Sequence, residues 1–119
     1  MKIELITQEE YDFLIEAQQK YPNLTFNNEG YQYPDKSKWT ANDKLVFEEI
    51  EKMLRKSIVG FAEFNHFKIG RGGSVAIRFQ YDWTADDRSQ GIPFTGVGYI
   101  SLDELLNGFK KVETNDKIS

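Results

Sequence analysis

Cysteine is absent from the chain and histidine occurs once, at His66. Disulfide frames, iron-sulfur clusters and thiolate nucleophiles need several cysteines, and zinc knuckles need several cysteine or histidine ligands. Triads built on imidazole reduce to whatever His66 alone can do. Long apolar runs are missing too, since no window approaches the roughly 18 residues that cross a bilayer. The opening Met1-Lys2-Ile3-Glu4-Leu5-Ile6 is interrupted by Glu4 and does not read as a signal peptide. These absences point to a cytoplasmic protein without membrane contact, cofactor or bound metal.

What is present is aromatic and charged. The 119 residues include 9 Phe, 6 Tyr and 2 Trp, and hydrophobic residues make up 39% of the chain, enough for one compact core. One domain over 1–111 is expected, with a frayed tail at 112–119. The net charge of −4 is unevenly spread: residues 1–51 hold 5 lysines against 11 acids, whereas the remainder holds 10 cations against 8 acids. Between positions 52 and 81, Lys52, Arg55, Lys56, Lys68, Arg71 and Arg78 are opposed only by Glu63. Richness in Lys, Asn, Ile and Phe over Ala fits a small protein of an AT-rich bacterium, a phage or a mobile element.

Local patterns give an element order. Residues 2–6 alternate as a short strand. Thr7 with Glu10 forms a capping box, in which each side chain satisfies an amide of the other's backbone, so a helix should start near Gln8 and stop before Pro22. Its outer face carries Glu9, Asp12 and Glu16. A long aromatic connection follows, containing Phe26, Tyr31, Tyr33 and Trp39, with turn signals at Asn27-Asn28-Glu29-Gly30 and Pro34-Asp35. Tyr31 and Tyr33 suit an extended segment. Thr40 and Asp43 open a second helix whose stripe is Val46, Phe47, Ile50, Met53, Leu54 and Ser57. Glu48 with Lys52, and Glu51 with Arg55, sit at ion-pair spacing and mark an exposed outer side.

A β-branched and aromatic run from Ile58 to Ile69 then meets Gly70-Arg71-Gly72-Gly73 and the alternating Val75, Ile77, Phe79, Tyr81, the signature of a hairpin. Phe94–Ile100 reads as a third strand, with Gly96 and Gly98 as weak points or close contacts. Ser101 and Glu104 cap a short last helix. The sum is α+β: an antiparallel sheet of about three to four strands, with two longer helices and a short C-terminal helix on one face and the other face partly open.

Period two places Ala76, Arg78, Gln80 and Asp82 opposite the apolar set of their strand, and puts Ala62, Phe64, His66 and Lys68 on one side of the preceding strand. His66, Arg78, Gln80 and Asp82 would line a solvated sheet surface. Asp82, Asp86 and Asp87 crowd one loop but lack the spacing of a calcium loop. The glycines at 70–73 join two strands and lack the strand-to-helix frame of a phosphate cradle.

Two surfaces therefore carry the functional expectations. The leading one is a non-catalytic module, an inhibitor or regulator, that binds another protein through Glu9, Asp12 and Glu16 or through Tyr31, Tyr33 and Trp39. The alternative is single-stranded nucleic-acid binding by the hairpin through Lys68, Arg71 and Arg78. A third reading, acid-base chemistry at His66 with Asp82 or a carboxylate metal site, lacks a nucleophile and a complete ligand set.

Overall fold

The computed structural model describes residues 3–27, 31–82 and 95–109. Three helices, α1 (Gln8–Lys20), α2 (Ala41–Ser57) and α3 (Leu102–Asn107), lie against a three-stranded antiparallel sheet of β1 (Phe61–Ile69), β2 (Val75–Asp82) and β3 (Thr95–Ser101). The strand order β1-β2-β3 makes β2 central. The fold is α+β, as the alternation of helical and strand periods indicates. Phe94, the start of the expected third strand, and the tail at 112–119 lie outside the described residues, as do Asp86, Asp87 and the turn residues Asn28, Glu29 and Gly30.

Each helix starts where its sequence says it should. Thr7 and Glu10, Thr40 and Asp43, and Ser101 and Glu104 all form complete capping boxes. These boxes need only residues three apart, so they survive whatever the tertiary context does. Leu14 and Ala17 of α1, Ile50 and Leu54 of α2, and Leu102 and Leu105 of α3 bury against Phe61, Phe64, Phe67, Ile77, Phe79 and Ile100 of the sheet, in one continuous core. All three helices share one face of the sheet; no described helix is long and apolar enough to cross a membrane.

β1 departs from strict alternation. Its register with β2 slips between Phe61 and Glu63 and again between Phe64 and His66, so that Ala62 and Asn65 are extra residues in the ladder. A bulge of this kind returns the following residue to the face it would otherwise leave. Phe61, Phe64 and Phe67 are three apart yet all point into the core. A period of two places Phe64 beside His66; the bulge at Asn65 separates them onto opposite faces.

The bulged edge is also covered. Glu51 of α2 accepts from the Phe64 backbone N–H at 3.0 Å, and Arg55 donates to the Ala62 carbonyl at 3.2 Å. Further along, the Phe26 N–H donates to the Phe67 carbonyl at 2.9 Å, part of a parallel bridge between Thr25 and Phe67. An edge strand with unmet backbone groups invites other strands, and these partners occupy the groups. Glu51 and Arg55 are thus turned toward the sheet instead of pairing with each other along the helix. Lys52 reaches Glu49 at 3.6 Å in place of Glu48. Among the described residues the N-terminal segment adds no strand to the sheet. It makes a single bridge, Ile3 with Ile58, and is pinned to the end of α2 through Glu4 N–H to Ser57 O and the Ser57 hydroxyl to Glu4 O, both 2.7 Å.

On the core side of β3, Gly96 and Gly98 face Tyr81 and Phe79 across the ladder. A Cβ at Gly98 would stand 3.0 Å from the Phe79 ring, and one at Gly96 would stand 2.8 Å from the Tyr81 ring. These glycines are close-contact sites that let two aromatic rings lie flat against β3.

Candidate functional site

The sheet face turned away from the helices is built in cross-strand rows. Lys68, Ala76 and Ser101 form one; His66, Arg78 and Tyr99 the next; Glu63, Gln80 and Val97 a third; and Asp82 faces Thr95 at the end. The sequence leaves the register of this hairpin open; the two register shifts in β1 set His66 opposite Arg78. The basic and neutral groups gather at the turn end of the sheet, and Glu63 and Asp82 at the other.

The aromatic connection folds onto this face. Its bridge to Phe67 carries the chain past the edge of β1, so that Leu24 enters the core while Phe26 lands on the opposite face. Phe26 stacks on the imidazole of His66 with centroids 5.7 Å apart, and Tyr33 leans on the same imidazole at 5.8 Å. Phe26 and Tyr33 are themselves 4.8 Å apart, and Tyr31 meets the edge of Phe26 at 6.3 Å. Tyr31 and Tyr33 do not join a strand. Two backbone hydrogen bonds, 2.9 and 3.0 Å, link Asn27 with Gln32; Tyr33 immediately follows this bridge residue, and Tyr31 immediately precedes it and takes a positive φ of 50°. That conformation is costly for a bulky residue, and Tyr31 is 82% exposed.

His66 is consequently not solvated. It retains 5% of its exposure under the Phe26 and Tyr33 rings. Nδ1 lies 3.1 Å from the Phe67 carbonyl, which only accepts, so Nδ1 carries the proton and Nε2 is left as a buried acceptor with no partner among the described residues. Burial holds the His66 pKa below the ordinary imidazole value; the Phe67 carbonyl opposes this, and the charges of Arg78 and Lys68 add to it.

Lys68 is the hinge of the face. Its ammonium stands 5.1 Å from the centre of the Tyr99 ring and 6.0 Å from that of Phe26, reaching over the small Ala76 to span the sheet. A cation over an aromatic face is attracted by the ring quadrupole, so the rings orient Lys68 without neutralising it. Arg78 donates to the Asn65 side-chain oxygen at 3.1 Å, which makes the bulge residue Asn65 its positioning partner. Among the described residues neither Lys68 nor Arg78 forms an ion pair. Tyr99 and Val97 project from β3, 52% and 45% exposed.

The other expected residues fall elsewhere. Trp39 leaves the aromatic connection for the helical side, where it packs on Phe47 at 4.9 Å and donates its indole N–H to the Asn23 carbonyl at 3.1 Å. Glu9, Asp12 and Glu16 are exposed on α1, in the helical layer. Asp12 accepts from Gln8 at 3.0 Å and Glu16 pairs with Lys20 at 2.7 Å, as solvated helix faces do. Gln80 is half-buried in the third row and Asp82 exposed in the fourth. Arg71 opens the short turn Arg71–Gly73, in which Gly72 and Gly73 take positive φ; its side chain lies outside the described atoms. Phe26, Asn65 and Tyr99 belong to this face and were not singled out from the sequence. The alternation of Val97 and Tyr99 about Gly98 was the available signal for Tyr99.

Among the described residues no three His, Asp or Glu side chains gather as a metal site. The arrangement can stack planar groups on tyrosine rings and place two cations beside them. The chain matches no protein-family model, no curated protein and no solved structure.

Proposed function

We propose that the chain is a small non-catalytic, cytoplasmic binding module that captures a macromolecular partner on the open face of its sheet. The observation that carries this reading is the meeting of two surfaces remote in sequence: Tyr31 and Tyr33 from the aromatic connection flank the same face that carries Lys68, Arg78 and Tyr99. Tyrosine and arginine concentrate binding energy at interfaces because they combine large contact area with polar reach. The cover over His66 supports binding over catalysis, since an imidazole sealed by two rings has no approach for a substrate. The pairing of Asp12 and Glu16 within α1 supports the sheet face over the acidic helix. The cysteine-free composition supports the cytoplasmic placement.

Photo-crosslinking tests this directly. A benzophenone amino acid at Tyr99 or at Tyr33, expressed in the protein's own host, should yield a defined adduct, while the same group at Glu16 should not. Adducts from Glu16 alone would move the site to the helical layer.

A further inference from the structure

Resting on that reading, we infer that the partner of the open sheet face is a single-stranded nucleic acid, its bases stacking on Tyr99, Tyr31 and Tyr33 and its phosphates meeting Lys68 and Arg78. Four features of the face converge on this chemistry. Three tyrosine rings stand exposed around one face, Tyr31 at 82%, Tyr33 at 69% and Tyr99 at 52%. Lys68 lies between two rings, and Arg78 shares a row with Tyr99, so each cation stands beside a stacking surface. Neither cation forms an ion pair among the described residues, which leaves their charge for an anion. Finally, Tyr31 adopts an unfavourable positive φ and stands in solvent.

Alternating rings and cations suit a strand whose bases are splayed, because every base has a π-face and every linkage a phosphate. A duplex hides those faces within its own stack, so duplex DNA should bind more weakly. Glu63, in the third row, disfavours a polyanion there, so the track is expected at the turn end, across the rows of Lys68 and Arg78. The expected site is short, with two phosphate contacts from Lys68 and Arg78. For single strands two contacts give a salt slope near −1.4, about sevenfold weaker binding between roughly 50 and 200 mM salt.

The experiment is fluorescence anisotropy of the full chain with labelled oligothymidylate of about 15 nucleotides, and with a duplex of the same length, at those two salt concentrations. Wild type should bind the single strand more tightly than the duplex, with the salt dependence above. Lys68→Glu with Tyr99→Ser should weaken binding about tenfold or more. Tyr99→Phe and Lys68→Arg, which keep the ring and the charge, should retain it, and circular dichroism of each variant confirms that the fold persists. Glu16→Gln in the helical layer should leave affinity unchanged. Absence of binding at low salt, or binding indifferent to Lys68→Glu with Tyr99→Ser, overturns the nucleic-acid partner. If oligonucleotides fail while a protein adduct forms at Tyr99, the inference falls and the binding-module reading stands. If both fail, the open face is not the site.

Discussion

Glu51, in the middle of α2, accepts a hydrogen bond from the backbone N–H of Phe64 at 3.0 Å, so a helix side chain satisfies an amide of the edge strand β1 that lies between its two register shifts. Removing the acceptor strands a part-buried amide. Glu51→Ala should therefore cost about 1–3 kcal/mol, whereas Glu51→Gln keeps an oxygen in place and should cost less. Urea denaturation of the two variants checks this; equal, negligible losses would show that water replaces the carboxylate without penalty.

The same contact shows where sequence reasoning reaches and where it stops. Capping at Thr7, Thr40 and Ser101 was legible because each box is closed by residues three apart. The hairpin was legible from alternation in β2, but its register was not, because the bulges of β1 that set His66 against Arg78 break the period of two. The threefold spacing of Phe61, Phe64 and Phe67 was not, because the bulges that allow it are satisfied by Glu51 and Arg55 from another element. The candidate face was legible only as two halves. What joins them are long-range contacts that no local pattern encodes: the Phe26 N–H to the Phe67 carbonyl, and the Phe26 and Tyr33 rings on His66.

Packing of β3 on β2 leads to a second prediction. Phe79 is fully buried and its ring lies where a side chain at Gly98 would begin, so Gly98→Val must displace a ring that the core holds. Overpacking of this kind costs typically about 1–3 kcal/mol. A thermal midpoint unchanged by Gly98→Val would mean that β3 shifts away from β2 at little cost.

Asp43 gives a third, through its ionisation. Burial alone would raise its pKa. Hydrogen bonds from the Thr40 N–H at 2.8 Å and the Asn23 amide at 3.0 Å, together with the Thr40 hydroxyl, outweigh burial and hold it below the ordinary 3.8. A carboxylate depressed on folding stabilises the protein fully above its unfolded pKa, and that contribution is lost as pH falls through the lower folded value. Asp43→Ala should cost about 1–2 kcal/mol near pH 7, as loss of a capping residue does. It should also lose less stability than wild type on acidification from about pH 5 to 2, the range in which a depressed Asp titrates. Urea midpoints across that range would refute the assignment if the two proteins fell in parallel.

His66 carries the opposite kind of titration and the last prediction. Burial beneath Phe26 and Tyr33 is the main reason its pKa is lowered; the Phe67 carbonyl opposes, and Arg78 and Lys68 lower it further. The neutral ring is the form the fold accepts. Above the unfolded value of 6.5 both states are neutral and the group contributes no pH dependence. As pH falls below that value the unfolded chain takes up a proton that the folded chain resists, so stability declines until the folded pKa is reached and is then level. Wild type should thus lose stability between about pH 7 and 5, where an ordinary imidazole titrates. His66→Phe keeps a ring for Phe26 and Tyr33 to cover and removes the proton site, and it should flatten that part of the curve. It also deletes the buried Nε2 acceptor that has no partner among the described residues. Near pH 7.5, above the ordinary imidazole pKa, the variant should therefore be no less stable than wild type. Chemical denaturation of both proteins across this range decides the matter: a decline that persists unchanged in His66→Phe would place the titrating group elsewhere.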